Sequence, residues 1–473
     1  MPLTTLLRDS RALATLAVPL ILTQLAQVAL TTTDTVMMGL LGTADLAAGG
    51  LAIVLFNQLR TMGVGLVTSV GNQIAAASAR AESAQEAGAP DNAGRDSDHQ
   101  VRKIVRAGLA VATLVGIIGA ALMLLAGQAL TFLGQEADIV DRAQTMLLAL
   151  APGLLPCLWF QAIRQFTVGM RRPQALLQIT IASVAVNAGI NWVLIHGSWG
   201  LPKLGLAGVG VATSLVYLLS FLALYLSAKK DTVLAPLLSL QITKADRATV
   251  RRLVQLGVPI AATYGSEAGF FSVTALMAGS FGSAALAAHT AVNQLVYIVF
   301  QVAVGLSHAA SLNVSRELAL DRPEAALRIK NTALACAGAV MVVVGIVYVT
   351  LPDLVLRPFF DTGSARDAQA VSIATHLLLV IMVLQFFDCA QNIGVGLLRG
   401  LDDTKGGFRI TLIGYWAIGL PAAWLLGYAA GLHTLGIWLG LLTGLAATAI
   451  LLLRRYSASL RVQFTAQQTV PAG

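Results

Sequence analysis

Charge is scarce in this chain of 473 residues: Asp, Glu, Lys and Arg together make up 11%. A soluble surface draws on about 25% charged residues, so the two or three water-soluble domains that the length alone would suggest are excluded. Cysteine is also scarce. Cys157, Cys336 and Cys389 lie singly in apolar runs with no CxxC, which excludes a disulfide framework or a metal knuckle. The short signatures of catalysis are missing too: no HExxH, no GxxxxGK[ST], no GxSxG and no dinucleotide fingerprint. Without a nucleotide site, this chain cannot itself drive transport with ATP.

What fills the chain is hydrocarbon. Hydrophobic residues reach 56%, and the mean hydropathy is +0.76. Crossing a bilayer as a helix takes about 20 apolar residues. Twelve stretches qualify: 13–38, 46–77, 103–126, 143–170, 174–195, 205–228, 252–279, 285–313, 330–351, 369–398, 408–430 and 433–453. Arg8, Asp9 and Arg11 precede the first stretch without a small-residue cleavage site, which reads as the start of a retained helix.

The net charge of +8 would suit nucleic acid or a basic cytoplasmic face, and its placement decides between them. Twelve spans put both termini and alternate loops on one side. That side collects 25 Lys and Arg, against four on the other (Arg142, Lys203, Arg357 and Arg366), with Arg60 and Arg164 inside spans. By the positive-inside rule both termini are cytoplasmic, and no nucleic acid is needed to explain the charge. The polar stretch 80–100 reads as a flexible cytoplasmic loop. Residues 229–250 read as a cytoplasmic linker between an N-terminal lobe, 1–228, and a C-terminal lobe, 251–473, which ends in a short cytoplasmic tail.

The chain resembles itself. A shift of 240 residues places Leu16, Val18 and Pro19 on Leu256, Val258 and Pro259, then Met37, Gly39 and Gly42 on Met277, Gly279 and Gly282 without a gap. Six spans per repeat give both halves the same orientation, a parallel repeat about an axis along the membrane normal. The expected fold is an all-α polytopic membrane protein, with twelve transmembrane helices in two pseudo-symmetric six-helix lobes around a central cleft.

Three of the 23 acidic residues fall inside spans: Asp34, Glu267 and Asp388. Each costs about 2.5–3.5 kcal/mol at a helix centre. Glu267 and Asp388 lie near mid-span; Asp34 sits about seven residues past the centre of its span, roughly 10 Å toward the outside at 1.5 Å per residue. The bland readings are an interfacial carboxylate for Asp34 and an Arg-paired or packing carboxyl for the other two. The repeat argues otherwise. Glu267 falls on Gln27, Asp34 on Thr274, and Asp388 on Gln161 when Val168-Gly169 is laid on Val395-Gly396. Packing would treat the lobes alike, so charge in one lobe only points to function.

Amides follow the carboxylates at helical spacing. Gln385, Gln391 and Asn392 share a face with Asp388; Asn187 and Asn191 form an i, i+4 pair; Asn293 lies in the eighth span. With Gln161 these are candidate polar or substrate contacts, the alternative being helix-to-helix glue. Arg164 lies close enough to its span end to snorkel. Arg60 is deeper, offset from Asp34 by roughly 12 Å, and takes no assigned role. His289, His308 and His376 read as packing histidines.

These residues resemble the multidrug and toxic compound extrusion (MATE) family, in its NorM-like bacterial branch. The resemblance runs over nearly the whole chain: Asp34-Thr35-Val36-Met37-Met38-Gly39 after Pro19, Glu267, Ala287-Ala288-His289, and Asp388 followed by Gly396-Leu397-Leu398-Arg399-Gly400. It implies an antiporter, not an enzyme, exporting cationic amphipathic compounds in exchange for protons or sodium ions. It also implies a coupling-ion site at Glu267 and Asp388 in the second lobe, where Na⁺ is one of the two ions to consider, and Asp34 serving the first with Asn187 and Asn191 beside it. No cofactor beyond the coupling ion is expected. Small cationic substrates and the bilayer are the expected partners, the chain a monomer in the bacterial cytoplasmic membrane. A lipid-linked oligosaccharide flippase is the nearest alternative, but its cavity would call for basic residues. From another class, a membrane-embedded lipid-processing enzyme lacks a nucleophile or metal cluster, and a passive channel leaves the repeat unexplained.

Overall fold

In a computed structural model, the structure describes residues 3–86, 91–133, 137–200, 202–360 and 367–468, and it is helical almost throughout. Twelve long helices follow one another: α1 (Leu3–Leu41), α2 (Thr43–Glu86), α3 (Asp91–Ala129), α4 (Ala137–Gly169), α5 (Gln174–His196), α6 (Gly205–Lys230), α7 (Arg247–Gly279), α8 (Ser283–Ala319), α9 (Pro323–Thr350), α10 (Ala368–Gly400), α11 (Thr404–Ala429) and α12 (His433–Gln468). Eleven are long and apolar enough to cross a membrane. The remaining one, α7, is 33 residues long; its apolar character is diluted by Thr263, Tyr264, Ser266 and Glu267.

The polar stretch 80–100 is mostly helix, contrary to the loop expected. Helix α2 continues to Glu86 and α3 begins at Asp91, leaving 87–90 outside the described residues. Its Ala, Glu, Gln and Arg are strong helix formers, so a polar composition here does not mean an absence of structure. Helix α12 likewise runs on to Gln468, where a tail was expected. Arg366 lies outside the described residues.

The repeat appears in the backbone. Gly42 between α1 and α2 and Gly282 between α7 and α8 occupy equivalent positions with φ of 124° and 109°, a region open to glycine but strained for other residues.

The chain divides into two compact units: Leu22–Tyr264, and Met1–Ile21 together with Gly265–Gly473. Both boundaries fall inside continuous helices, shortly after Pro19 in α1 and Pro259 in α7. A proline there removes one i→i−4 hydrogen bond and loosens the turn before it. The grouping differs from a cut at the linker in two segments, since Met1–Ile21 joins the later unit and α7 up to Tyr264 the earlier.

Within the first unit α4 packs on α2, α3 and α6, and every residue from Phe160 to Gly169 is buried. Residues 229–250 are fastened to this unit. Leu234 and Leu237 are buried, Arg106 Nε donates to Ser239 Oγ at 2.8 Å, and Asp231 accepts from the Val233 and Leu234 amides and from Arg172. Partial burial works against the Asp231 charge, but these donors outweigh it and hold the carboxyl below its usual range.

In the second unit α10 packs closely on α8. A Cβ at Gly396 would overlap Ser307, and one at Gly400 would meet the Ser311 carbonyl at 2.8 Å. Small residues one turn apart let backbones approach. Ser307 Oγ then donates to the Asn392 carbonyl at 2.7 Å and Ser315 Oγ to that of Gly400 at 3.1 Å. These contacts fix the register of the helix bearing Asp388.

Candidate functional site

Asp34 lies two turns before the end of α1, and only 4% of it is exposed. An interfacial carboxylate would be wet. Instead Asn187 and Asn191 Nδ2 both donate to its Oδ1, at 2.7 and 2.8 Å, and Thr213 Oγ1 donates to Oδ2 at 2.9 Å. The i, i+4 spacing on α5 stacks the two amides on one face, so one carboxylate oxygen receives both. Both Asn side chains are fully buried, and their own Oδ1 atoms have no partner among the described residues. Thr213 Oγ1 also lies 2.9 Å from the Val209 carbonyl. A hydroxyl owns one proton, so these two acceptors share it.

Glu267 and Asp388 are both buried and close enough to interact electrostatically. Asn392 Nδ2 donates to Asp388 Oδ1 at 3.1 Å, and also to the Asp388 carbonyl and Gln391 Oε1. Tyr415 of α11 donates a long hydrogen bond, 3.4 Å, to Glu267 Oε1. Among the described residues, none of the three carboxylates has a Lys or Arg within salt-bridge distance.

The other candidates separate. Gln391 and Asn392 join Asp388. Gln385 turns to α9 and donates to the Tyr348 hydroxyl at 3.2 Å. Asn293 is half-buried on α8 and bonds to neither carboxylate. Gln161, the counterpart of Asp388, accepts at Oε1 from Arg164 Nη1 at 3.0 Å. Arg164 was expected to snorkel; it is 3% exposed, held inside by that bond and the packing of α4. Arg60 donates to Asn57 Oδ1 at 3.3 Å and borders a cavity of about 20 Å³ that Gln27, Thr31, Thr180 and Ser183 also line. His289 packs its ring 5.3 Å from that of Trp438.

Sequence reasoning missed Thr213 and Tyr415. A threonine in an apolar helix usually bonds only its own i−4 carbonyl, so Thr213 carried no signal of its own. Tyr415 carried no signal either, since nothing in its spacing links it to a residue on another helix.

Chemically, each cluster is a carboxylate in a low-dielectric site, surrounded by neutral donors and oxygens. A carboxylate so placed is costly unless a proton or a cation neutralises it. Within the described residues no group of three or more His, Cys, Asp and Glu is poised to hold a metal, so a cation here would lean on amide, hydroxyl and carbonyl oxygens.

A family model described as MatE matches this chain twice, over residues 19–193 and 259–425. The matches begin at Pro19 and Pro259, the residues the 240-residue shift superimposes. A relative from Bradyrhizobium diazoefficiens, named probable multidrug resistance protein NorM, is 37% identical over 93% of this chain and 91% of its own length. One of the same name from Pseudomonas aeruginosa is 34% identical over 93% and 88%. Among solved structures, a MATE transporter in a bent conformation is similar with a TM-score of 0.84 at 16% identity, covering 98% of this chain and 99% of its own. The eukaryotic MATE transporter AtDTX14 is similar at 0.78 and 20%, covering 97% and 99%.

Proposed function

The chain belongs to the MatE family, and from that premise we propose that it is a multidrug efflux antiporter exchanging cationic amphipathic compounds for protons or sodium ions by alternating access. The family is one of transporters rather than enzymes, and the NorM relatives are named for multidrug resistance. The observation that supports exchange is the set of three buried carboxylates with no Lys or Arg within salt-bridge distance among the described residues. An unpaired anion in a membrane is costly, and its use is to be neutralised in turn by different cations. Drug and coupling ion compete for that role.

Asp34 suits a proton in particular. Oδ1 receives two amide donors and must remain an acceptor, so a proton goes to Oδ2. Thr213 can then accept from Oδ2 while giving its own proton wholly to the Val209 carbonyl. Sodium would use the same Oδ2 with the free amide oxygens of Asn187 and Asn191. Glu267 and Asp388, with Asn392 and Gln391, form the second coupling-ion site. The placement proposed is the bacterial cytoplasmic membrane with both termini inside, on the strength of the basic residues collected on that side.

The test is efflux of a fluorescent lipophilic cation from vesicles under an imposed pH gradient and, separately, an imposed Na⁺ gradient. Export driven by one of the two supports the proposal and names the ion; export driven by neither overturns it.

A further inference from the structure

Helix α11 is not α-helical throughout. Ile413–Gly419 and Leu425–Ala429 are π-helical, a wider winding that concentrates at functional sites. The first π segment presents two adjacent aromatic residues to two adjacent residues of α7. Tyr415 reaches Glu267 Oε1 at 3.4 Å, and Trp416 Nε1 donates to Ser266 Oγ at 2.8 Å. The Tyr415 ring is fully buried and stacks on Phe270, with centroids 4.8 Å apart and planes 5° from parallel. Close packing holds the segment in place: a Cβ on Gly414 would overlap Thr448, and one on Gly419 would meet the Phe270 ring at 2.9 Å. The ring is therefore fixed by packing, while its hydroxyl makes one long bond. That hydroxyl is the only hydrogen-bond donor to Glu267 among the described residues. Among the described residues, Asp388 on α10 is a second carboxyl that interacts electrostatically with Glu267.

We propose that Tyr415 is a positioning residue for the coupling-ion site, its hydroxyl occupying Glu267 when the ion is absent and competing with the ion for the same carboxylate oxygen. This rests on the reading of Glu267 as a coupling-ion residue. A carboxylate with no donor would be costly each time the ion leaves. A strong fixed donor would keep the ion out. A single long hydroxyl bond on a rigid ring meets both conditions, and the π-helical winding puts the ring there.

The test is the dependence of export on the coupling-ion concentration in vesicles holding the purified chain, for the wild type, Tyr415→Phe, Trp416→Phe and Glu267→Gln. Phenylalanine keeps the stack on Phe270 and removes only the hydroxyl. Tyr415→Phe is expected to lower the half-saturating ion concentration by about three- to tenfold, the worth of one net hydrogen bond, and to lower the maximal rate because the ion leaves more slowly. Trp416→Phe should leave the half-saturating concentration at the wild-type value. An unchanged or raised value in Tyr415→Phe overturns the proposal. If Glu267→Gln keeps wild-type ion dependence, the reading of Glu267 itself fails; if it loses coupling while Tyr415→Phe matches the wild type, only the role of Tyr415 fails. Infrared difference spectra of the wild-type chain need no folded variant: adding the ion should shift a tyrosine C–O band, and no shift also overturns the proposal.

Discussion

At the residue scale the decisive feature is how differently the three membrane carboxylates are held. Asp34 receives three short hydrogen bonds, whereas Glu267 receives one long one. Asp34→Asn keeps the shape and removes the charge, so the folded yield should hold while export falls at least about tenfold and loses its dependence on external pH; each lost charge–dipole bond is worth about 1.5–3 kcal/mol. Export at several external pH values checks this, and an unchanged rate and profile would show that Asp34 only packs. Thr213→Val separates anion from proton acceptor. It leaves the two amides in place but gives a proton on Oδ2 no acceptor, so export should drop several-fold, less than in Asp34→Asn, in the same assay. Residue types alone announced Asp34, Glu267, Asp388 and the Asn187/Asn191 pair, because charge in hydrocarbon is expensive and helical spacing is exact. They did not announce Thr213 or Tyr415, whose partners sit on helices distant in sequence.

At the element scale, helix positions were legible and helix ends were not. Hydropathy marks the part of a helix in lipid, so α2, α3 and α12 appeared shorter than they are; their polar extensions owe their helicity to propensity. The buried arginine at Arg164 was misplaced for a related reason, since depth along a helix does not say which face a side chain takes. The α8–α10 contact carries a prediction. Gly396→Ala forces a methyl into Ser307, an overpacking worth about 1–3 kcal/mol; melting temperature and export should both fall, measured by thermal unfolding and vesicle assay. Gly338→Ala, with open space around the new methyl, should change neither. At the start of α7, Thr249 donates its hydroxyl and its amide to Asp246. These bonds hold the Asp246 carboxyl below its ordinary range. Because the folded value is depressed, the cap is intact above about pH 4, the unfolded value, and is lost as pH falls through the folded one. Hydrogen exchange in the first turn of α7 should rise only in that acidic window, and Asp246→Asn should flatten the change.

At the scale of the whole molecule, the repeat, the charge asymmetry and the family match describe one object from three sides. The 240-residue offset was found by residue identity, and the equivalent Gly42 and Gly282 turns share a backbone conformation. The grouping of Met1–Ile21 with the later unit was invisible in the sequence, because compactness follows spatial neighbours rather than chain order. Orientation is testable apart from function. Thr232 is exposed in the segment joining α6 to α7, so Thr232→Cys should resist a membrane-impermeant thiol reagent in intact cells and react once they are opened; labelling in intact cells would invert the topology. Exchange itself is tested most directly by running it backwards. In vesicles containing the purified chain, an imposed gradient of a lipophilic cation should drive protons or Na⁺ the opposite way, with that ion flow absent in Asp34→Asn, Glu267→Gln and Asp388→Asn. Cation movement with no counter-ion flow, or wild-type flow in all three variants, would contradict coupling through these carboxylates.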